Sequence, residues 1–139
     1  MLGRASLIAI VVGSAVYWLL EGLWMGLLMG DYYMNAFAIF EPVARTEQLS
    51  PMMWLFSTTL IAALLMWIGQ RSAVSVAGMA TTGAVLFGVT TFNMEFMMYM
   101  FFADYPLMPT SLISVVWESV AGAVTGGVMG MTYMKLNKG

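Results

Sequence analysis

The sequence predicts an all-α, four-helix transmembrane bundle that runs up-down-up-down with both termini in the cytoplasm. Three observations carry that expectation. Of 139 residues, 61% are apolar and only 9% charged, a balance far from that of soluble domains. Four apolar runs are long enough to cross roughly 30 Å of hydrocarbon, which takes about 20 helical residues. The cations, finally, fall unevenly between the two ends of those runs.

The runs cover 7–29, 52–68, 74–102 and 111–133, in one integral membrane domain spanning 1–139. Arg4 ahead of the first run, with Gly13-Ser14-Ala15 inside it, resembles a secretion signal. The apolar stretch continues to Met29, however, so the run is expected to stay in place as a span. Ser50-Pro51 opens the second run as an N-cap followed by proline at the first helical position, and Pro109-Thr110-Ser111 opens the fourth in similar fashion. Gln70, Arg71 and Ser72 make so short a link that the second and third runs must be antiparallel neighbours. The connection from Gly30 to Ser50 is long and carries Tyr32, Tyr33, Phe37 and Phe40, which reads as a surface segment dipping into the membrane interface.

With four spans, the N-terminus, the link at Arg71 and the C-terminus share one side. They hold Arg4, Arg71, Lys135 and Lys138 and no acid, whereas the opposite side holds Arg45 with Asp31, Glu41, Glu47 and Asp104. The positive-inside rule then places both termini in the cytoplasm. Trp54, Tyr105 and the loop tyrosines outside, with Trp67 and Tyr133 inside, are expected to anchor the interfaces.

The remaining acids, Glu21, Glu95 and Glu118, lie within the first, third and fourth runs. Counted from the outer ends at 1.5 Å per residue, all three fall about 10 to 12 Å below the outer surface. Ser57, Thr58 and Thr59 of the second run reach a matching depth, so a polar layer crossing all four helices is expected. Tyr17, Ser57, Thr58, Thr91, Tyr99 and Ser114 are its candidate supporting groups, by helical spacing or by depth. Along the fourth run Gly122, Gly126 and Gly130 recur every four residues below Glu118, a pattern that lets helices approach closely in membranes. A charged residue at mid-span costs about 2.5 to 3.5 kcal/mol, and no lysine or arginine lies inside any predicted run to offset it. The glutamates are therefore protonated, share protons as a group, hold a bound cation, or meet a cation from a partner.

Composition also excludes chemistry. The chain has no cysteine and no histidine, so no disulfide, thiolate nucleophile, zinc site or haem ligand is expected, and the identity of any cofactor stays open. Five scattered cations provide no stripe for nucleic acid. An oxygen-only cluster suits a hard divalent cation. The 16 methionines, without cysteine or histidine to complete a copper site, read as adaptable filler of apolar interiors. Trp18, Trp24 and Trp117 lie near the glutamates and read first as packing groups.

EGLWMGLLMGDYY, EPVAR before the Trp-bearing second run, and WESVAGAVTGG in the last run resemble small four-span bacterial inner-membrane proteins of unknown function. The resemblance covers most of the chain and implies the four-span fold and the bacterial inner membrane, with no activity to carry over. Small multidrug transporters share a glutamate in the first span but differ in the second and third glutamates and in the long first loop. The expectation is a membrane protein that binds or transports a proton, a divalent cation or a cationic ligand through Glu21, Glu95 and Glu118. Its partners would be the lipid bilayer and either further copies of the chain or a larger membrane complex. One alternative is a non-catalytic accessory subunit of a larger membrane complex, docked through the row of Gly122, Gly126 and Gly130 and the aromatic surfaces, with a partner cation neutralising the acids. A third is an enzyme acting on a lipid-soluble substrate, for which no nucleophile or cofactor motif accompanies the acids.

Overall fold

The computed structural model describes residues 3–38, 40, 51–71 and 74–137. Glu41, Pro42, Arg45, Glu47 and Ser50 of the long connection lie outside the described residues, as do Ser72 and Lys138. The elements are α1 (Arg4–Leu23), α2 (Gly30–Ala36), α3 (Pro51–Gly69), α4 (Val76–Phe101) and α5 (Leu112–Asn137), with no strand among the described residues. α1 runs on through a π-helical turn, Trp24–Leu28, closed by the Met29 N–H donating to the Trp24 carbonyl at 2.8 Å. Four stretches are long and apolar enough to cross a membrane: Arg4–Leu28, Met52–Gly69, Val76–Phe101 and Leu107–Asn137. Their ends differ from the predicted runs by a few residues, most at the fourth. There the chain turns back at Leu107, and Met108 is extended at φ −127° and ψ 132° before α5 begins.

These helices are apolar on nearly every face, which suits a lipid environment rather than water. Phe56, Val89, Phe101 and Val116 all stay exposed on the outside of the bundle. Backbone groups are satisfied within the helices, and the ends are closed locally: the Gly78 N–H donates to the Ser75 hydroxyl at 3.0 Å and so caps α4.

α5 packs most extensively on α4 and next on α1, while α3 packs chiefly on α1. The α4–α5 seam is built on small residues. A Cβ added to Gly83 would be driven into the Gly122 carbonyl, and one added to Gly122 into the Gly83 carbonyl. Further along, Gly126 meets Met79, and Gly130 meets Ser75 and Val76, so sequence numbers fall on α4 as they rise on α5. The two helices are therefore antiparallel, and the glycine row is spent on a contact within the chain.

The apolar core sits towards the end of the bundle where α1 begins. Ala9, Ile10, Leu65, Met66, Met79, Phe87 and Met129 form it, and the three methionines are completely or almost completely buried. That is the packing role expected of methionine. α3 is joined to α1 by polar contacts: Ser14 Oγ lies 3.0 Å from Thr58 Oγ1 and 2.9 Å from Thr59 Oγ1, and Gln70 Nε2 donates to Ser6 Oγ at 2.6 Å. Trp67 is exposed, with the Arg71 guanidinium 3.7 Å from its ring centroid in a cation–π contact.

Two aromatic expectations change. Tyr105, predicted as an interfacial anchor, is buried, and Tyr33, predicted to lie in a surface segment, is buried as well. The reason is that each phenol finds a partner inside: Tyr33 on α2 reaches Ser114, and Tyr105, on the turn from α4 to α5, reaches back to Glu95. Tyr33, Phe37, Phe40, Tyr105 and Phe102 stack or tilt against one another with centroids 5.1 to 6.2 Å apart, forming an aromatic cap.

Candidate functional site

Below that aromatic cap lies a cavity of about 300 Å³ whose walls include Glu21, Glu95 and Glu118 together. Each comes from a different helix: α1, α4 and α5. Their side chains reach one space because α5 is drawn onto α4 by the glycine seam while α1 lies along α5.

Each carboxylate is held by named donors. Tyr17, one turn before Glu21 on α1, donates its hydroxyl to Glu118 Oε2 at 3.0 Å, and its ring packs edge-on against Phe87 at 4.7 Å. Trp117, beside Glu118 on α5, donates its indole N–H to Glu21 Oε1 at 2.7 Å. The two bonds cross, so that each helix orients the other's carboxylate. Trp117 also stacks flat on Trp24, with centroids 4.2 Å apart and planes 4° apart. Trp24 opens the π-helical turn, where α1 gains one residue in its turn.

Glu95 is bound differently. Its Oε2 accepts from Tyr105 Oη at 2.5 Å and from Ser111 Oγ at 2.6 Å, both on the chain that returns from α4 to α5. Burial, followed by the bond to Glu95, pushes the Tyr105 phenol above its ordinary range, so it stays protonated and keeps donating. Among the described residues, Oε2 of Glu21, Oε1 of Glu95 and Oε1 of Glu118 take no hydrogen bond. Each acid thus keeps one acceptor oxygen available.

The positive charge of the described residues is distant. The described cations are Arg4, Arg71 and Lys135. Arg4 is 17 residues from Glu21 on one continuous helix, and Lys135 is 17 from Glu118 on another, so each lies about 25 Å away along the axis. No group of three acidic residues among the described ones is close enough to share a metal ion. The carboxylates line one cavity without converging on a single point.

The other predicted supporting residues divide. Tyr17 bonds Glu118, Thr91 and Ser114 line the cavity, and Ser114 Oγ lies 2.9 Å from Tyr33 Oη. Ser57 and Tyr99 are exposed, and Thr58 pairs with Ser14 instead. The expected polar layer across all four helices is therefore a three-helix cavity, with a separate hydroxyl seam between α1 and α3. Ser14 lies seven residues before Glu21, about 10 Å further along α1, and α3 rests there. Gly122, Gly126 and Gly130 pack on α4 below the cavity.

Sequence reasoning missed Tyr33, Tyr105, Ser111 and the indole of Trp117 as carboxylate-side groups. Tyr105 could have been found from the shared Asp-Tyr step that follows Glu21 and Glu95 by ten and nine residues, at Asp31-Tyr32 and Asp104-Tyr105. Comparison with protein-family models, with curated proteins and with solved structures finds no match for this chain.

Proposed function

We propose that the chain is a small binding or transport protein of the bacterial inner membrane that takes a proton or a small cationic ligand into the Glu21–Glu95–Glu118 cavity. Its four spans run up-down-up-down with both termini in the cytoplasm, which puts the cavity in the outer half of the membrane. The observation that carries the reading is the arrangement of the three carboxylates. Three helices each contribute one to a single cavity, each keeps a free oxygen, and no described cation is near. Ionisable groups inside a membrane-spanning bundle are costly and mark sites of function by default.

Among the described residues no three acids converge on one point, which favours a proton or an organic cation over a divalent metal ion. Stacked Trp24 and Trp117 beside the acids support an organic cation, which an indole face attracts. For the accessory-subunit alternative the glycine row is occupied by α4, which leaves the aromatic surfaces as its docking feature.

Isothermal titration of the detergent-solubilised protein with butylammonium, in weak buffer so that proton uptake and release are also read, tests the reading. Wild type should bind one equivalent or exchange protons with the medium between pH 5 and 8, and the triple Glu21→Gln, Glu95→Gln, Glu118→Gln variant should do neither. A wild type that binds nothing and exchanges no more protons than the triple variant would overturn it.

A further inference from the structure

A second hollow, of about 280 Å³, opens between α4 and the segment leading into α5, with walls of Phe92, Phe96, Leu107, Met108, Leu112 and Val115. Phe92, Met108 and Leu112 are more than half exposed. In a membrane-spanning bundle such side chains meet lipid tails. Glu95 is the one residue common to the walls of this groove and of the carboxylate cavity. It is 6% exposed, and the hydroxyls of Tyr105 and Ser111 fix only its Oε2.

We propose that the groove and the cavity form one head-and-tail site for a single-chain, lipid-soluble amine, its ammonium group against Glu95 in the cavity and its alkyl chain in the groove. The proposal rests on the cation-binding reading above and adds the ligand's class and its direction of approach. Charge complementarity selects the head: an ammonium supplies the positive charge that no described residue brings to Glu95, and its N–H groups match the free Oε1. The apolar wall selects the tail, and a single trough between α4 and the start of α5 receives one chain rather than two. An alkyl chain gains little by leaving lipid for an apolar groove, so the groove acts as the tail's way out to the bilayer, and closing it forces the tail into a clash. Glu95 then stands where the ligand passes from membrane to cavity.

The test uses the full chain in phosphatidylcholine nanodiscs, with radiolabelled dodecylamine and butylamine as probes and empty nanodiscs as the baseline. Both probes should bind wild type above baseline, and neither should bind Glu95→Gln. Leu112→Trp, at an exposed position, puts an indole at the groove wall and should weaken dodecylamine at least tenfold while leaving butylamine within twofold. Equal effects on the two probes, or no effect on either, would overturn the head-and-tail site while leaving the cation reading standing. Failure of both probes to bind wild type would overturn the head-and-tail site, and together with an absence of proton exchange in the titration above it would overturn the cation reading as well. Displacement of dodecylamine by phosphatidylethanolamine at equal mole fraction would assign the groove to a two-chain lipid and also overturn the proposal.

Discussion

The Trp117 indole N–H donates to Glu21 Oε1 at 2.7 Å, tying α5 to α1 one residue from Glu118. Removing that donor leaves a buried acid short of a partner, which costs about 1 to 3 kcal/mol. Trp117→Phe keeps an aromatic ring against Trp24 while deleting the N–H. Its melting temperature in detergent is expected to fall by several degrees below wild type. An unchanged melting temperature would mean that the bond does not hold the two helices together.

The double anchor on Glu95 should behave as a unit. Tyr105→Phe and Ser111→Ala each remove one of the two hydroxyls on Oε2. Each single variant is expected to lose about 1 to 2 kcal/mol. The double variant should depart from the sum by at least 0.5 kcal/mol, since groups bonded to one atom couple. Denaturant unfolding of all four proteins closes the cycle, and strict additivity would show that the hydroxyls act independently.

The direction of effect depends on whether a changed glycine lies in the α4–α5 seam, as Gly122 does, or elsewhere, as Gly22 does on α1. Gly122→Val forces a branched side chain towards the Gly83 carbonyl and the Phe87 ring, and is expected to abolish the monodisperse peak on size exclusion. Gly22→Ala meets nothing within 4 Å and should be neutral or slightly stabilising, because alanine is the better helix former. Equal behaviour of the two variants would contradict the seam.

Thr58→Val separates the hydroxyl seam from the cavity. It removes a bond between Ser14 and α3, so a loss of about 1 kcal/mol is expected in thermal unfolding. Its butylammonium binding and proton exchange should match wild type, since α3 contributes no wall to the cavity. A changed ligand response in Thr58→Val would return α3 to the site.

What could be read from the sequence, and what could not, follows from the range of the interactions involved. Four membrane-spanning lengths were legible because hydrocarbon thickness imposes them on composition alone. The glycine row at 122, 126 and 130 was legible because it is periodic on one helix. Depth counting grouped Glu21, Glu95 and Glu118, which line one cavity, as each depth depends only on distance from a helix end. The same counting wrongly added Ser57 and Thr58, since depth does not say which way a side chain faces or which helix it meets. Tyr33 looked like an interfacial anchor because its burial depends on a contact with Ser114, 81 residues away and without local signature, whereas Tyr105 turns in to Glu95 only ten residues back. Trp117 as a hydrogen-bond donor was hidden for a similar reason: its partner is 96 residues away.

The central claim is that the three carboxylates act as one cation- or proton-binding site, and thermal unfolding tests it most directly. Melting temperature would be recorded from pH 5 to 8, with and without butylammonium, for wild type and for the Glu21→Gln, Glu95→Gln, Glu118→Gln variant. The account predicts that wild type responds to pH or to the cation by several degrees, as binding to the folded state requires, and that the variant responds to neither. Identical, flat profiles for the two proteins would contradict it and leave the glutamates as neutral packing groups.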